Sequence, residues 1–194
     1  CEKVLDIVTV NLLFVVSCLP IVTIGVAKIS LYQTIFEVKR SRRIPVFKIY
    51  IRAFKQNLKL GFQLGLLELG IFLISVVDLS LFWSQTGVAF QLIKAICLGI
   101  LIFLTLVMLA SYPIAARYEL TWKEVLQKGL LLVSFNFVWF FLMLAIILLI
   151  IMLLYLSGFT LVLGGSAFLL FGFGLLAFCQ AGLMEKLFAK YQAD

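Results

Sequence analysis

Long apolar stretches fill most of the chain without helical or strand alternation, and short charged segments interrupt them. From Gly129 to Met184 there is no Asp, Glu, Lys or Arg. That run suffices for two helices of the ~20 residues that a bilayer's hydrocarbon core requires. The same pattern predicts spans over residues 4–27, 60–83, 95–116, 129–156 and 161–184, with charged segments at 39–59, 117–128 and 185–194. Backbone polar groups in lipid must be satisfied within their own segment, which makes the helix the spanning element here. The expected fold class is all-α: a polytopic transmembrane helical bundle of about five spans, forming a single domain over residues 1–194.

Proline and glycine punctuate these runs. Pro20 and Gly25 break or kink the first span, because proline removes a helix donor and clashes with the preceding turn. A kink makes the helix over Val26 to Lys39 a continuation, whereas a turn makes it the return arm of a short hairpin. The side on which Cys1 lies depends on which occurs. Gln85-Thr86-Gly87 and Ser157-Gly158 are short uncharged connections. Thr121-Trp122-Lys123-Glu124 fits a capping box, and starts a helix expected to run from Trp122 through Gly129 to about Leu156. Gly61 and Gly65 form a G-x-x-x-G, and Gly158, Gly164, Gly165, Gly172, Gly174 and Gly182 crowd the last span, where missing side chains let helices approach closely.

Charge changes the picture by orienting the chain. Lys39, Arg40, Arg42, Arg43, Lys48, Arg52, Lys55 and Lys59 are half of the sixteen basic residues, and no acid interrupts them. By the positive-inside rule this segment, the loop at 117–128 and the C-terminus are cytoplasmic. Within it Phe47, Ile51, Phe54 and Leu58 recur at helical spacing, and Lys48, Arg52, Lys55 and Lys59 repeat that spacing about 100° round the axis. Pro45 suits a first turn. The segment therefore predicts a basic amphipathic helix on the inner face, either a lipid anchor or a docking surface for an acidic partner.

Composition agrees, with 64% hydrophobic and 13% charged residues and a mean hydropathy of +1.21. A soluble domain is nearer half apolar and a quarter charged. The net charge of +7 sits where orientation in a membrane requires it, so nucleic acid is not an expected partner. The chain opens on Cys1, readable as a lipidated terminus but without upstream sequence to support that. Cys1, Cys18, Cys97 and Cys179 stand alone in apolar surroundings and read as packing residues. There is no histidine, hence no usual base for a serine or cysteine hydrolase, and no P-loop. No catalytic residue, metal or cofactor is expected. The candidate intramembrane charges are Lys28, Glu68 and Asp78. An ionised group at mid-membrane costs about 2.5–3.5 kcal/mol on insertion scales, so each should face a partner or water. Lys28 could reach Glu68; a protonated Glu68 bonded to another helix is the competing arrangement, and a substrate or proton pathway is the functional one.

Asn11-Leu12-Leu13-Phe14, Leu19-Pro20-Ile21-Val22-Thr23-Ile24-Gly25, Leu31-Tyr32 and Phe54-Lys55-Gln56-Asn57 resemble, in order and spacing, the YesL family of bacterial membrane proteins. The likeness extends more loosely through Tyr112-Pro113, Arg117-Tyr118-Glu119-Leu120 and Leu183 to Phe188. Lys28 departs from the family's small apolar residue at that place, so the Lys28 to Glu68 pairing has no family support. The motif residues carried over are Asn11, Leu19, Pro20, Thr23, Gly25, Leu31, Tyr32, Phe54 and Asn57.

That family has no assigned reaction and accompanies carbohydrate ABC importers and glycoside hydrolases in Gram-positive bacteria. The resemblance implies a non-catalytic accessory subunit in the cell membrane. Its partners would be the bilayer and the importer's permease and ATPase subunits, with direct sugar contact left open. The rival expectation is an autonomous small-solute transporter or channel in which Glu68 and Asp78 line a polar path, although no inverted repeat is visible.

Overall fold

The computed structural model describes residues 2–41, 45–82 and 87–191. Cys1, Arg42, Arg43, Gln85, Thr86 and the tail from 192 onward lie outside the described residues. The described chain is all-α, without a strand. It contains five helices long and apolar enough to cross a membrane: Ile21–Arg40, Leu58–Asp78, Val88–Arg117, Phe137–Leu154 and Leu161–Ala189.

Helix α1 (Glu2–Ser17) ends just before Pro20, and a 3-10 turn (Ile21–Thr23) leads into α2 (Ile24–Arg40). The break is a turn between two helices packed on each other, so the span expected over 4–27 does not exist as one helix. Residues 24–27 belong to α2, and the membrane-length element here is Ile21–Arg40. The turn is closed by Thr23, whose hydroxyl donates to the carbonyl of Ser17 (2.6 Å) and to that of Pro20 (2.7 Å). It thereby satisfies oxygens that the end of α1 leaves open.

Helix α2 is the hub, touching α1, α3 (Val46–Gln56), α4 (Leu58–Phe82), α5 (Val88–Arg117) and α9 (Phe173–Tyr191). Its crossing with α4 has almost no space for side chains. A Cβ on Gly25 would overlap the carbonyl oxygen of Gly61, and one on Gly61 would lie 2.5 Å from the Cα of Val26. The G-x-x-x-G of α4 is thus a seat for α2, as expected of glycines in membrane helices. At the far end of α2, Lys39 pairs with Glu185 of α9 at 2.8 Å and lies over the ring of Phe178.

One expected helix is divided. The helix expected from Trp122 to about Leu156 is α6 (Trp122–Phe135) followed by α7 (Phe137–Leu154). The interruption falls at Asn136, whose side chain donates to the carbonyl of Leu132 at 3.1 Å and competes with the helix for its own acceptor. The capped start is present: the Thr121 amide donates to Glu124 at 2.8 Å. That amide and the Thr121 hydroxyl hold the exposed Glu124 carboxyl below the ordinary range. The last span comprises α8 (Gly158–Ala167), a π-turn (Phe168–Gly172) and α9.

Asn11 answers the π-turn. Its amide donates to the carbonyl of Leu169 (2.6 Å) and accepts from the amide of Gly174 (2.7 Å), two backbone groups beside the irregularity. Gly174 permits this closeness, since a Cβ there would lie 2.9 Å from the carbonyl of Ile7.

Candidate functional site

Glu68 is the centre of the polar interior. It lies ten residues, nearly three turns, into α4, past the glycine seat, where the α2–α4 crossing brings Lys28 alongside. The Lys28 ammonium donates to both carboxylate oxygens, at 2.7 and 2.8 Å. The Tyr112 hydroxyl of α5 donates to Oε2 at 2.5 Å, and Lys28 stands 4.7 Å from the centroid of that tyrosine's ring. A carboxylate with both oxygens engaged by an ammonium and a hydroxyl is neutralised in place. The arrangement turns three charged or polar groups on three helices into one closed unit.

A second set lies beside the first. Pro113 has no N–H, so the carbonyl of Leu109 one turn earlier has no helical donor. The Gln180 side chain of α9 fills that role at 2.7 Å, and its own oxygen accepts from the buried hydroxyl of Tyr32 at 2.5 Å. Gln180 thereby links α2, α5 and α9 through one amide.

Cavities flank the cluster on both sides. One of about 340 Å³ lies between α2, α4 and α5, bordered by Ile24, Gly65, Phe72 and Leu101; the other, of about 450 Å³, is bordered by Phe14, Leu144, Phe168 and Leu176. Lys28, Glu68, Thr105 and Met108 line both. The ion pair is therefore part of a partition between two apolar hollows, and its side chains keep roughly a third of their surface open, 28% for Lys28 and 34% for Glu68.

The other residues singled out from sequence fall elsewhere. Asp78 lies ten residues beyond Glu68 on α4, about 15 Å along the axis, half-buried and apart from the cluster. Lys48, Arg52, Lys55 and Lys59 are all exposed, and most of the apolar face beside them is open as well. Phe47, Ile51 and Leu58 are 61%, 36% and 48% exposed, while Val46, Tyr50 and Ala53 are buried and Phe54 is only partly so. The packed face is set by Tyr50, which seats against α1 near Ser17 and Cys18, and by Asn57, which donates to Gln33 of α2 at 2.8 Å. Burial pushes the Tyr50 hydroxyl's pKa up. Helix α3 thus has a packed face, an open apolar face and a basic face.

Among the family-motif residues, Asn11, Thr23, Gly25, Tyr32 and Asn57 each join two elements through the contacts above. Leu31 is buried, and Leu19 is 78% exposed at the tip of the turn. Tyr112 and Gln180 were not expected in a site. Pro113 inside an apolar run and Gln180 in an uncharged one were the available signals.

The class of protein these features define is a polytopic α-helical membrane bundle whose interior is tied by polar side chains. A family model described as a protein of unknown function, DUF624, matches residues 7–79, from within α1 through most of α4. No curated protein and no solved structure matches the chain.

Proposed function

We propose that the chain is a non-catalytic accessory subunit of a bacterial carbohydrate ABC importer, supporting oligosaccharide uptake. In this reading it lies in the cell membrane with residues 39–59, 117–128 and 185–194 on the cytoplasmic side. The observation that carries the proposal is the set of residues resembling the YesL family, which accompanies such importers. Five of them sit at joints between helices, so they preserve the shape of the bundle. The closed state of Glu68 adds support: a carboxylate bound by Lys28 and Tyr112 suits a scaffold better than a proton or solute path. The exposed basic face of α3 offers a cytoplasmic contact for the importer.

The rival reading, an autonomous small-solute transporter or channel, draws on one observation, the two cavities that meet at Lys28 and Glu68. Affinity purification of the full-length tagged protein from its own host separates the two. The subunit reading expects permease and ATPase chains in the purified set, lost on Arg52→Gln with Lys55→Gln while membrane abundance stays normal. Recovery of the chain alone, with solute flux in proteoliposomes containing nothing else, would establish the rival.

A further inference from the structure

The end of the bundle that carries Arg117 and Lys128 has a feature that neither reading uses. Helix α5 stops at Arg117, the chain turns through Tyr118 to Leu120, and α6 returns antiparallel from Trp122. The two helices lie close because Gly129 faces Ser111, where a Cβ would come within 2.6 Å of the serine oxygen. Between this hairpin and α9 a groove of about 440 Å³ opens, lined by Ile114, Tyr118, Lys128, Leu131, Phe135 and neighbouring apolar groups.

At one end of the groove Lys128 belongs to the lining, and Arg117 lies just outside it against the rings of the lining residues Tyr118 and Phe188, so two cations share one aromatic ring. The Arg117 guanidinium lies 6.0 Å from the Tyr118 centroid and 4.9 Å from that of Phe188, and the Lys128 ammonium lies 5.6 Å from Tyr118. The ring itself is fixed edge-on against Phe188 at 5.5 Å and 86°. Neither cation belongs to an ion pair among the described residues. Two acids share the hairpin: Glu119, exposed in the turn after Tyr118, and Glu124, one turn before Lys128, which takes up the amide and hydroxyl of Thr121 and also feels the charge of Lys128. Aromatic faces hold cations but do not neutralise them. Two like charges gathered at one ring leave a position where an anion is favoured.

The other end of the groove is apolar and runs up α6 toward the membrane. Leu131 is 55% and Phe135 72% exposed, so a ligand would meet cations first and hydrocarbon within about two helical turns. Anionic headgroups are drawn to basic pockets at the ends of transmembrane helices, and acyl chains fill apolar grooves between them. A soluble anion would leave the apolar wall unused, and an acidic protein segment would have to bury it against lipid.

We infer that this groove is a binding site for one anionic phospholipid, its phosphate held between Arg117 and Lys128 and an acyl chain laid along Leu131 and Phe135. The inference rests on the membrane character of the chain and not on its association with an importer.

Native mass spectrometry of the full chain, released from vesicles of equimolar phosphatidylglycerol and phosphatidylcholine, tests this directly. The site predicts a phosphatidylglycerol adduct retained at least tenfold over phosphatidylcholine. It predicts loss of that preference in Arg117→Gln with Lys128→Gln, and an unchanged adduct in Arg52→Gln with Lys55→Gln on α3. Leu131→Trp, which leaves both cations and fills the groove, should remove the adduct without shifting the lipid-free melting temperature, and it decides the matter if the double variant does not fold. Equal retention of the two lipids, an adduct indifferent to Arg117 and Lys128, or one lost only with the α3 cations would overturn the assignment. Displacement by glycerol phosphate at matched concentration would overturn it too, by showing an anion site that needs no chain.

Discussion

Helices α2 and α7 are both long and apolar enough to cross a bilayer, yet they are held by opposite means. The segment containing α2 has a mean hydropathy of 1.3 and is 61% buried inside the bundle; α7 has 3.2 and is 6% buried. In a soluble protein the order would be reversed. Lipid dissolves leucine as well as another helix does, so apolar content gives α7 no reason to leave it. What draws α2 inside is small and polar: Gly25 at the α4 crossing, Tyr32 on Gln180 and Lys28 on Glu68. The residues matched by the DUF624 model are on the stapled side of this divide, and α7 is outside them.

The contrast can be broken most sharply at the glycine seat. Gly25→Leu would drive a side chain into the backbone of Gly61 and Gly65, which yields only if α2 and α4 separate. The expected loss is about 3 kcal/mol or more in thermal unfolding, close to failure of the fold. Gly70→Ala, on α4 beyond the seat, meets nothing within 4 Å, and should gain up to about 1 kcal/mol from helix propensity. Equal behaviour of the two glycines would remove the seat from the account.

Asn11→Leu keeps the bulk but strands the carbonyl of Leu169 and the amide of Gly174. A loss of about 2 kcal/mol should follow, with faster amide exchange around residues 168–174 than elsewhere in the last span. Exchange unchanged in that stretch would mean that the π-turn does not depend on Asn11. The smallest effect belongs to α7: Leu148 is 57% exposed, and Leu148→Ala should change stability by less than about 0.5 kcal/mol. A loss comparable with that at Asn11 would mean that α7 is packed against something other than lipid.

Much of this architecture was legible from the order of residues. Long uncharged runs admit no soluble solution, so the all-α polytopic class follows from hydropathy alone, and Pro20 announced a break. The pairing of Lys28 with Glu68 was accessible because an unpaired charge in lipid is expensive enough to demand a partner. Other features were hidden for physical reasons. Asn136 divides α6 from α7 with a single side chain in an otherwise favourable helical run. The π-turn at 168–172 has no composition of its own, and shows only through its partner Asn11. Which side of α3 packs on the bundle depends on Tyr50 and Asn57 finding places on α1 and α2, which periodicity within α3 does not contain. Tyr112 reaches Glu68 only once the α4–α5 packing is known.

The central claim, that polar contacts between helices rather than apolar burial hold α2 in the bundle, is tested most directly by a double-mutant cycle at its charged contact. Lys28→Met and Glu68→Gln are made singly and together, and unfolding is followed in one lipid mixture. Lys28→Met alone leaves Glu68 with only Tyr112 and should cost about 2 kcal/mol, and the double change should recover at least about 1 kcal/mol of that. Additive losses, with no recovery in the double variant, would contradict the claim.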